Sequence, residues 1–462
     1  MKVFFPTSLK SAEIFPIFKK GDKKKISNWR PISLLNPFSK IFERHIFNEI
    51  TQFINKYKLL HNFQYGFREN SSTELAITQL TEELQDNLQN KKSTLAVFID
   101  LSKAFDTVDH QILLSKMHRY GIRGLAGDLL HSYLTGRSQS TIANNKKSKP
   151  EEITCGVPQG SILGPLLFNL YINDLATVSD LTVRLYADDA CLTFSQSNLT
   201  VLQNAMNKEL NLVNDWLKVN KLSVNYTKSN YLLFTNTKHK HKFNININGN
   251  TLEQIKETNY LGVWIDDQLN WKKHLEMVHK KISKASYIIT KIRHYVDLST
   301  LKILYYSLVF PHINYCITVW GGIYKSSILP IINLQKKIVR IITKSSFTAH
   351  ANPIFLELKI LPIKYIHFLN STILFHKITH GKIIGFYNIT PINKIHKYNT
   401  RLSKANNYFQ TFNRLDVGKF SFCSMGLQFW KEIPTDYKQL PIHLFKYKTK
   451  QYLFQLLRED KL

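Results

Sequence analysis

The sequence contains little cysteine for its length. Only four cysteines occur among 462 residues, and they lie far apart in the chain: Cys155, Cys191, Cys316 and Cys423. They form neither a C-x-x-C pair nor a dense framework, which argues against a structural zinc site and against a small disulfide-stabilised secreted fold. A reducing intracellular compartment is therefore expected.

Long apolar segments are also missing. Three apolar residues near the N-terminus are followed at once by Pro6, which is too short for the core of a signal peptide. The longest apolar run, residues 303–320, is interrupted by a proline, a histidine and an asparagine. We therefore predict a buried helix there rather than a membrane span, and no membrane partner.

Acidic residues are scarce relative to basic ones. The chain has 33 Asp and Glu against 62 Lys and Arg, which gives a formal net charge of +29. So large an excess indicates a polyanionic partner, either nucleic acid or an acidic membrane surface. With 44% hydrophobic residues the chain is globular, and its length allows two to four packed units.

Two of these few acids are adjacent. Asp188 and Asp189 stand between apolar β-forming residues, a pattern typical of a tight hairpin with both acids at its tip. At about 4 Å two carboxylates repel by about 1 kcal/mol in water and about 4 kcal/mol in a partly dry site. A cation would relieve that repulsion, although a solvated turn would also tolerate the pair.

A third acid ends another apolar run. Residues 95–99 predict a central strand buried on both faces, with Asp100 at its carboxyl end. If this strand lies beside the hairpin, the three carboxylates can bind two divalent ions that hold the attacking and leaving oxygens of a phosphoryl transfer. The carbonyl of Leu101 could complete the ligand shell. Phe105 could pack under a nucleotide sugar and exclude a 2′-hydroxyl, or simply belong to the core.

The N-terminal 30 residues are strongly basic, with eight Lys or Arg against two acids. Residues 14–18 and 29–33 predict two strands joined by a turn. Arg30 offers a planar fork that matches phosphate oxygens, and Lys19 or Lys20 offers a point charge. The hairpin could therefore fold over a phosphate chain; a solvated loop is the alternative.

Later segments add further candidates. Residues 156–168 combine three glycines and two prolines in a turn before a helix, where the backbone can approach a ligand and Gln159 could hydrogen-bond a nucleotide. Lys228 could donate a proton to a leaving pyrophosphate, or lie on the surface. Residues 260–265 predict a strand. Basic helices at 271–296 and 331–343 could grip a duplex backbone, or present a solvated face.

Together these motifs resemble the reverse transcriptases. Four stretches, residues 98–106, 156–168, 186–189 and 260–262, are similar to motifs A, B, C and E of that family, in the same order. Residues 29–36 resemble the fingers motif of non-LTR (LINE-type, jockey-like) retrotransposon polymerases. Lys228 falls at the motif D lysine, with Ser229 where the family usually has threonine.

The resemblance implies an α+β right-hand polymerase with fingers, palm and thumb, a ferredoxin-like palm sheet and an α-helical C-terminal region. Fingers are expected over residues 1–94, palm over 95–265 with part of the fingers at 110–155, thumb-like helices over 266–345 and a helical appendage over 346–462. The family's polyproteins normally carry an upstream endonuclease domain, which nothing in this sequence resembles. A truncated copy, or a fragmentary gene model, is therefore expected.

The resemblance also implies roles for the candidate residues. Two Mg²⁺ ions, or Mn²⁺ as a substitute, are expected on Asp100, Leu101, Asp188 and Asp189. The implied nucleotide contacts are Lys19, Lys20, Arg30, Phe105 and Gln159, with Lys228 as proton donor.

The implied activity is an RNA-directed DNA polymerase that uses an RNA template, a DNA primer and dNTPs in the nucleus or cytoplasm. An RNA-directed RNA polymerase, in which Asp100 and Asp106 read the 2′-hydroxyl, and a catalytically decayed nucleic-acid binder are the alternatives.

Overall fold

The structure is a computed structural model that describes residues 4–237, 242–386 and 413–460, together with Ile389 and Tyr408. The chain divides into two compact units. The first comprises Met1–Ser71, Leu95–Tyr231 and Lys240–Gln254, and the second comprises Ser72–Thr94, Leu232–His239 and Ile255–Leu462. Within the described part of the chain, no helix combines the length and apolar character needed to cross a membrane.

The strands of the described residues all lie before residue 267. In chain order they are β1 (Ser11–Phe18), β2 (Trp29–Leu35), β3 (Ser93–Asp100), β4 (Arg137–Ala143), β5 (Lys146–Lys147), β6 (Glu151–Ile153), β7 (Thr182–Tyr186), β8 (Asp189–Gln196), β9 (Asn230–Phe234), β10 (Asn246–Ile247), β11 (Asn250–Thr251), β12 (Glu253–Gln254), β13 (Glu257–Tyr260) and β14 (Val263–Asp266).

The α-helices of the described residues follow in the same order. They are α1 (Pro37–Tyr57), α2 (Thr73–Gln89), α3 (His110–Arg119), α4 (Gly124–Leu134), α5 (Leu163–Ile172), α6 (Leu199–Val219), α7 (Lys272–Ile292), α8 (Leu298–Leu308), α9 (Phe310–Asn314), α10 (Ile317–Trp320), α11 (Lys325–Thr343), α12 (Ala351–Leu358), α13 (Ile363–Thr379), α14 (Asp416–Lys419), α15 (Phe422–Glu432) and α16 (Ile442–Arg458).

A five-stranded sheet carries the acidic residues. Its spatial order is β12-β9-β3-β8-β7, so β3 lies at the centre between β9 and β8. The chain runs from β3 through α3, α4 and α5 to β7 and β8, then through α6 to β9. This β-α-β-β-α-β connectivity is typical of ferredoxin-like sheets. The mixed α and β composition predicted from the sequence is confirmed.

The apolar run before Asp100 forms the most deeply buried strand of this sheet. Every residue of β3 from Ser93 to Ile99 is buried, and Asp100 at its end is partly exposed. A continuous rather than alternating apolar pattern is what a strand covered on both faces requires. The prediction of a central strand ending at Asp100 is confirmed.

A second sheet contains the basic hairpin. Strands β1 and β2 pair antiparallel from Ala12 opposite Leu35 to Phe18 opposite Trp29. Strand β4 pairs parallel with β1, and β5 and β6 pair with β4. The predicted hairpin is therefore present, and Lys19 follows β1 directly.

Two predicted elements are wrong. The expected single strand over residues 260–265 is a hairpin of β13 and β14, turned at Leu261 (φ 48°) and Gly262 (φ 83°), since two consecutive positive φ values reverse an antiparallel pair. The expected helix over 303–320 is divided into α8, α9 and α10. Pro311 lies in the first turn of α9, and Cys316 adopts a left-handed φ of 51°.

The two basic helices belong to the second unit. Helix α7 matches its predicted range closely, whereas α11 begins six residues before the predicted start and carries Pro330 inside it. The two helices pack against each other. Helices α12 to α16 follow, which agrees with the helical character expected for residues 346–462; within that span, residues 387–412 other than Ile389 and Tyr408 lie outside the described residues.

Candidate active site

The paired acids occupy the tip of the β7–β8 hairpin, as predicted. Tyr186 pairs with Asp189, so Ala187 and Asp188 form the two-residue loop and Asp189 begins β8. Ala187 has a φ of 55°, at a loop position where glycine is normally favoured. Such a left-handed residue costs about 1–2 kcal/mol. The surrounding packing offsets that cost, because Ala187 is itself buried.

Asp100 lies at the end of the neighbouring strand and is held by the loop before β9. Its Oδ2 atom accepts hydrogen bonds from Lys228 Nζ at 3.0 Å and from Asn225 Nδ2 at 2.9 Å. The backbone is tied to the same loop, since Asn225 N donates to the Asp100 carbonyl at 2.8 Å and Asp100 N donates to Ser229 Oγ at 3.2 Å. Lys228 is therefore a direct partner of Asp100.

The three carboxyl groups share one electrostatic environment. Burial raises the pKa of Asp189 to about 6, with further contributions from the negative charges of Asp188 and Asp100. Burial also raises the pKa of Asp188, again with a contribution from Asp100. Asp188 and Asp189 are harder to ionise because they are buried and because Asp100 is near. Residues distant along the chain thus converge, because β3 and β8 are neighbours in the sheet.

Cations of the basic hairpin face these acids. The positive charges of Lys19 and Arg30 offset part of the rise in the pKa of Asp188, and those of Lys19 and Lys228 offset part of the rise in that of Asp189. The pKa of Lys19 is lowered, first by burial and then by Arg30 and Lys228. Lys20 also lowers the pKa of Lys19, by a smaller amount. The site therefore contains opposed positive and negative groups.

Phe105 lies between two other phenylalanine rings. Its ring stacks on Phe168 with centroids 4.5 Å apart and an interplanar angle of 26°. Phe67 contacts it edge-on at 6.4 Å and 89°. Phe105 is only partly buried. The side chain thus has core contacts and an accessible part, so it can pack against the core and still meet a ligand.

The glycine-rich turn lies against the loop that follows Phe105. Val157 N donates to the Phe105 carbonyl at 2.8 Å, and Gln159 Nε2 donates to Asp106 Oδ1 at 2.8 Å. A Cβ atom built on Gly156 would lie 2.7 Å from the Asp106 carbonyl oxygen, so glycine is needed for this approach. Gln159 is thereby placed beside the Phe105 loop. Burial raises the pKa of the Asp106 carboxyl that it contacts.

The donor set suits a hard divalent cation such as Mg²⁺. The three carboxyl groups of Asp100, Asp188 and Asp189 provide oxygen ligands, which such a cation prefers. Leu101 bridges Val224 through the hydrogen bonds of its flanking residues, an arrangement that turns the Leu101 carbonyl away from Val224. Among the described residues, no three His, Cys, Asp or Glu side chains are already grouped as metal ligands. Lys228 and Asn225 both contact Oδ2 of Asp100, so a metal ion at that oxygen would compete with Lys228.

Several residues of the site were not identified from the sequence. Asn225 is one of them, because a single asparagine in a loop carries no distinctive pattern. Glu43 is another: it is fully buried on α1, and its Oε2 accepts from Ile162 N at 2.7 Å and Leu163 N at 3.3 Å at the start of α5. The available signal was a lone acid with apolar residues nearby, Ile41, Phe42 and Ile46. Gly66, which packs against the backbone of Ala187 in the hairpin loop, was also not identified.

Comparison with known proteins identifies the family. The family model described as reverse transcriptase (RNA-dependent DNA polymerase) matches residues 18–265, more than half of the chain. The chain belongs to the reverse transcriptase family, whose members are nucleotidyltransferases, and the predicted family is confirmed.

Curated relatives come from mobile elements. The chain is 30% identical over 77% of its length to the probable RNA-directed DNA polymerase from transposon BS of Drosophila melanogaster, of which the match covers 41%. It is 27% identical over 77% of its length to the RNA-directed DNA polymerase from mobile element jockey of the same species, covering 40% of that protein. The chain thus spans about two fifths of these relatives, and the predicted jockey-like resemblance is confirmed.

Solved telomerase structures are also similar. The telomerase from Candida albicans in complex with a TWJ fragment of telomeric RNA aligns with a TM-score of 0.44 and 10% identity, covering 78% of this chain and 66% of that one. Apo telomerase from Candida tropicalis gives a TM-score of 0.41 and 10% identity, covering 78% and 68%. Similarity at this level does not by itself establish a fold.

Proposed function

We propose that this chain is an RNA-directed DNA polymerase of a non-LTR retrotransposon, which extends a primer 3′-hydroxyl on an RNA template. The observation that carries the proposal is the convergence of Asp100 with Asp188 and Asp189, faced by Lys19 and Arg30. Membership of the reverse transcriptase family supports it.

The acids would serve as ligands. Asp100, Asp188, Asp189 and the Leu101 carbonyl would hold two Mg²⁺ ions, with Mn²⁺ as a substitute, and the bound metal would supply charge neutralisation at the reacting phosphate. Burial favours such binding, because carboxylates that repel one another in a partly dry site gain most from a cation.

The other residues would bind and select the nucleotide. Arg30 and Lys19 would pair with triphosphate oxygens, and Lys20 would add charge at the edge of the same hairpin. Phe105 would lie under the sugar and exclude a 2′-hydroxyl, while Gln159 beside it would position the nucleotide. Lys228, once released from Asp100, would donate a proton to the leaving pyrophosphate.

The larger organisation follows the same proposal. Residues 1–94 would act as fingers, 95–265 as palm with part of the fingers at 110–155, 266–345 as thumb and 346–462 as a helical appendage. The partners would be an RNA template, a DNA primer and dNTPs, within the nucleus or cytoplasm. Basic helices α7 and α11 would provide phosphate contacts to the duplex.

Primer extension tests the proposal. The purified chain, oligo(dT) annealed to poly(rA), dTTP and Mg²⁺ should give elongated DNA. Asp188→Asn should retain primer binding and lose elongation by at least about a thousandfold, since a metal ligand is removed. Asp215→Asn is the matched control, because Asp215 lies on α6 with 71% of its side chain exposed and forms only a 3.8 Å pair with Lys218.

Other outcomes identify the alternatives. Equal use of UTP and dTTP would favour an RNA-directed RNA polymerase. Template binding without elongation by the folded wild-type chain would indicate a decayed nucleic-acid binder. Either result would contradict the proposed function.

A further inference from the structure

A short segment, residues 63–67, contains none of the candidate catalytic residues and runs beside the hairpin that carries Asp188. Gln64 forms a parallel bridge with Leu185. Tyr65 N donates to the Leu185 carbonyl at 2.8 Å, and Leu185 N donates to the Phe63 carbonyl at 2.9 Å. Residues 63–65 therefore extend the edge of the sheet next to β7 and lead toward the hairpin tip.

Gly66 packs directly against the backbone of the hairpin loop. A Cβ atom built on Gly66 would lie 2.5 Å from the nitrogen of Ala187 and 3.2 Å from the carbonyl carbon of Tyr186. Both neighbours are backbone atoms, so no side-chain rotation relieves such a contact. Any larger residue at position 66 must displace the loop that holds Asp188.

The segment cannot easily retreat from this contact. The carbonyl of Gly66 accepts a buried hydrogen bond from Asn169 Nδ2 at 2.7 Å, and its N–H donates to Gln64 Oε1 at 3.3 Å. Asn169 lies on helix α5, where it is fully buried. Position 66 is thus held by a buried hydrogen bond from α5 as well as by its contact with the hairpin.

The next residue contacts the ring proposed to meet the sugar. Phe67 is 54% exposed and adopts a left-handed φ of 52°, an unfavourable conformation for a bulky residue. Its ring contacts Phe105 edge-on at 6.4 Å, while Phe168 supports Phe105 by stacking at 4.5 Å. Removing Phe67 would leave Phe105 supported on one side.

We propose that Gly66 and Phe67 form a positioning element that fixes the loop of Asp188 and the ring of Phe105 relative to each other, and so contributes to selection of deoxyribose over ribose. The inference rests on the proposed polymerase function. In this proposal Gly66 acts through Asp188, and Phe67 acts through Phe105.

Nucleotide selection tests the Phe67 half. The ratio of kcat/KM for dTTP to that for UTP is measured on poly(rA)/oligo(dT). Phe67→Leu should lower the ratio about tenfold, mainly through a lower KM for UTP. Phe67→Tyr keeps an aromatic ring at this position and should retain the wild-type ratio. Phe347→Leu is the control, because Phe347 is 75% exposed in the second unit. A ratio within about twofold of wild type in Phe67→Leu overturns the proposal.

Metal binding tests the role proposed for Gly66 without a measurement of polymerase activity. Mn²⁺ titration followed by electron paramagnetic resonance should show the dissociation constant of Gly66→Ala raised about tenfold. Gly127→Ala is the control, since Gly127 lies in α4 and its added Cβ would lie 3.4 Å from the nearest atom, the Ile122 carbonyl oxygen. Unchanged Mn²⁺ affinity in folded Gly66→Ala overturns the proposal. If Gly66→Ala does not fold, the dTTP-to-UTP ratio of kcat/KM in Phe67→Leu decides whether the proposal stands.

The two failures are distinguishable. A wild-type chain that extends no primer contradicts the proposed function, and the Mn²⁺ titration of Gly66→Ala still decides whether position 66 fixes the hairpin loop.

Discussion

The ammonium group of Lys228 lies 3.0 Å from Oδ2 of Asp100, so one candidate catalytic residue neutralises another. Lys228 keeps 54% of its side chain exposed and Asp100 keeps 30%. A pair this exposed contributes only about 0–1 kcal/mol, because water and salt screen it. The contact is therefore easily exchanged for a metal ion.

Replacing Lys228 should separate metal binding from chemistry. In Lys228→Met, no ammonium competes for Asp100, and Mn²⁺ should bind up to about fivefold more tightly, which corresponds to the upper worth of the pair. Primer elongation should fall about a hundredfold or more, since the proposed proton donor is lost. Mn²⁺ titration and single-nucleotide incorporation measure the two effects.

The control for this change is Lys218→Met. Lys218 forms only a 3.8 Å pair with Asp215 on the same helix turn, and neither quantity should change. Weaker Mn²⁺ binding in Lys228→Met would show that Lys228 supports the metal ligands rather than competing for them.

Removing the amide that orients Asp100 should slow elongation. Asn225→Ala deletes the 2.9 Å hydrogen bond to Oδ2 but leaves the carboxyl group itself. Loss of a residue that orients a metal ligand typically costs about tenfold or more in activity. Steady-state elongation measures the effect, with Asn250→Ala as control, since the exposed Asn250 amide donates to the Asn248 carbonyl instead of to a site residue. Equal rates for Asn225→Ala and wild type would count against an orienting role.

The buried carboxyl of Glu43 should be needed for stability. Glu43→Ala removes the acceptor for Ile162 N and Leu163 N, and unpaired buried donors should lower the free energy of unfolding by about 3 kcal/mol. Glu43→Gln keeps one acceptor oxygen and should cost about 1 kcal/mol. Urea unfolding followed by circular dichroism measures both. Glu49→Ala, exposed on the same helix, should leave the midpoint unchanged; an equal shift in this control would contradict the assignment.

A second buried acid should make stability depend on pH. Burial raises the pKa of Glu82 to about 7, well above its ordinary value of 4.5. Below the lower value the carboxyl is protonated in both the folded and unfolded states. As pH rises from about 4.5 to about 7, the unfolded chain loses the proton first, so the free energy of unfolding falls.

Glu82→Gln should abolish that part of the pH dependence. Urea midpoints at about pH 5 and about pH 8 should differ less in this variant than in wild type. Glu357→Gln, an exposed acid of the same unit, is the control. If the free energy of unfolding of the wild type rose between about pH 5 and about pH 8 relative to that of Glu82→Gln, the raised pKa assigned to Glu82 would be contradicted.

The sequence was informative where local pattern determines local structure. The uninterrupted apolar run before Asp100 predicts a buried central strand, and paired acids between β-forming residues predict the hairpin of Asp188 and Asp189. Those elements form as expected because strand burial and hairpin turns depend on neighbouring residues. That the strands lie side by side came from the resemblance of the motifs, not from either pattern.

Contacts between distant segments were not predictable in this way. Gly66 fits against Ala187, and Asn225 holds Asp100, only after the sheet has formed. A single glycine or asparagine in a loop gives no periodic signal. The β13–β14 hairpin was missed for a different reason: Leu261 supplies one of its positive φ values, and leucine is not a residue associated with that conformation.

The central claim is that Asp100 joins Asp188 and Asp189 in one metal site. Mn²⁺ titration of Asp100→Asn, Asp188→Asn and wild type tests it most directly. Both variants should bind Mn²⁺ at least about tenfold more weakly than wild type, with unchanged circular dichroism. Wild-type affinity in Asp100→Asn, together with weakened binding in Asp188→Asn, would contradict the shared site.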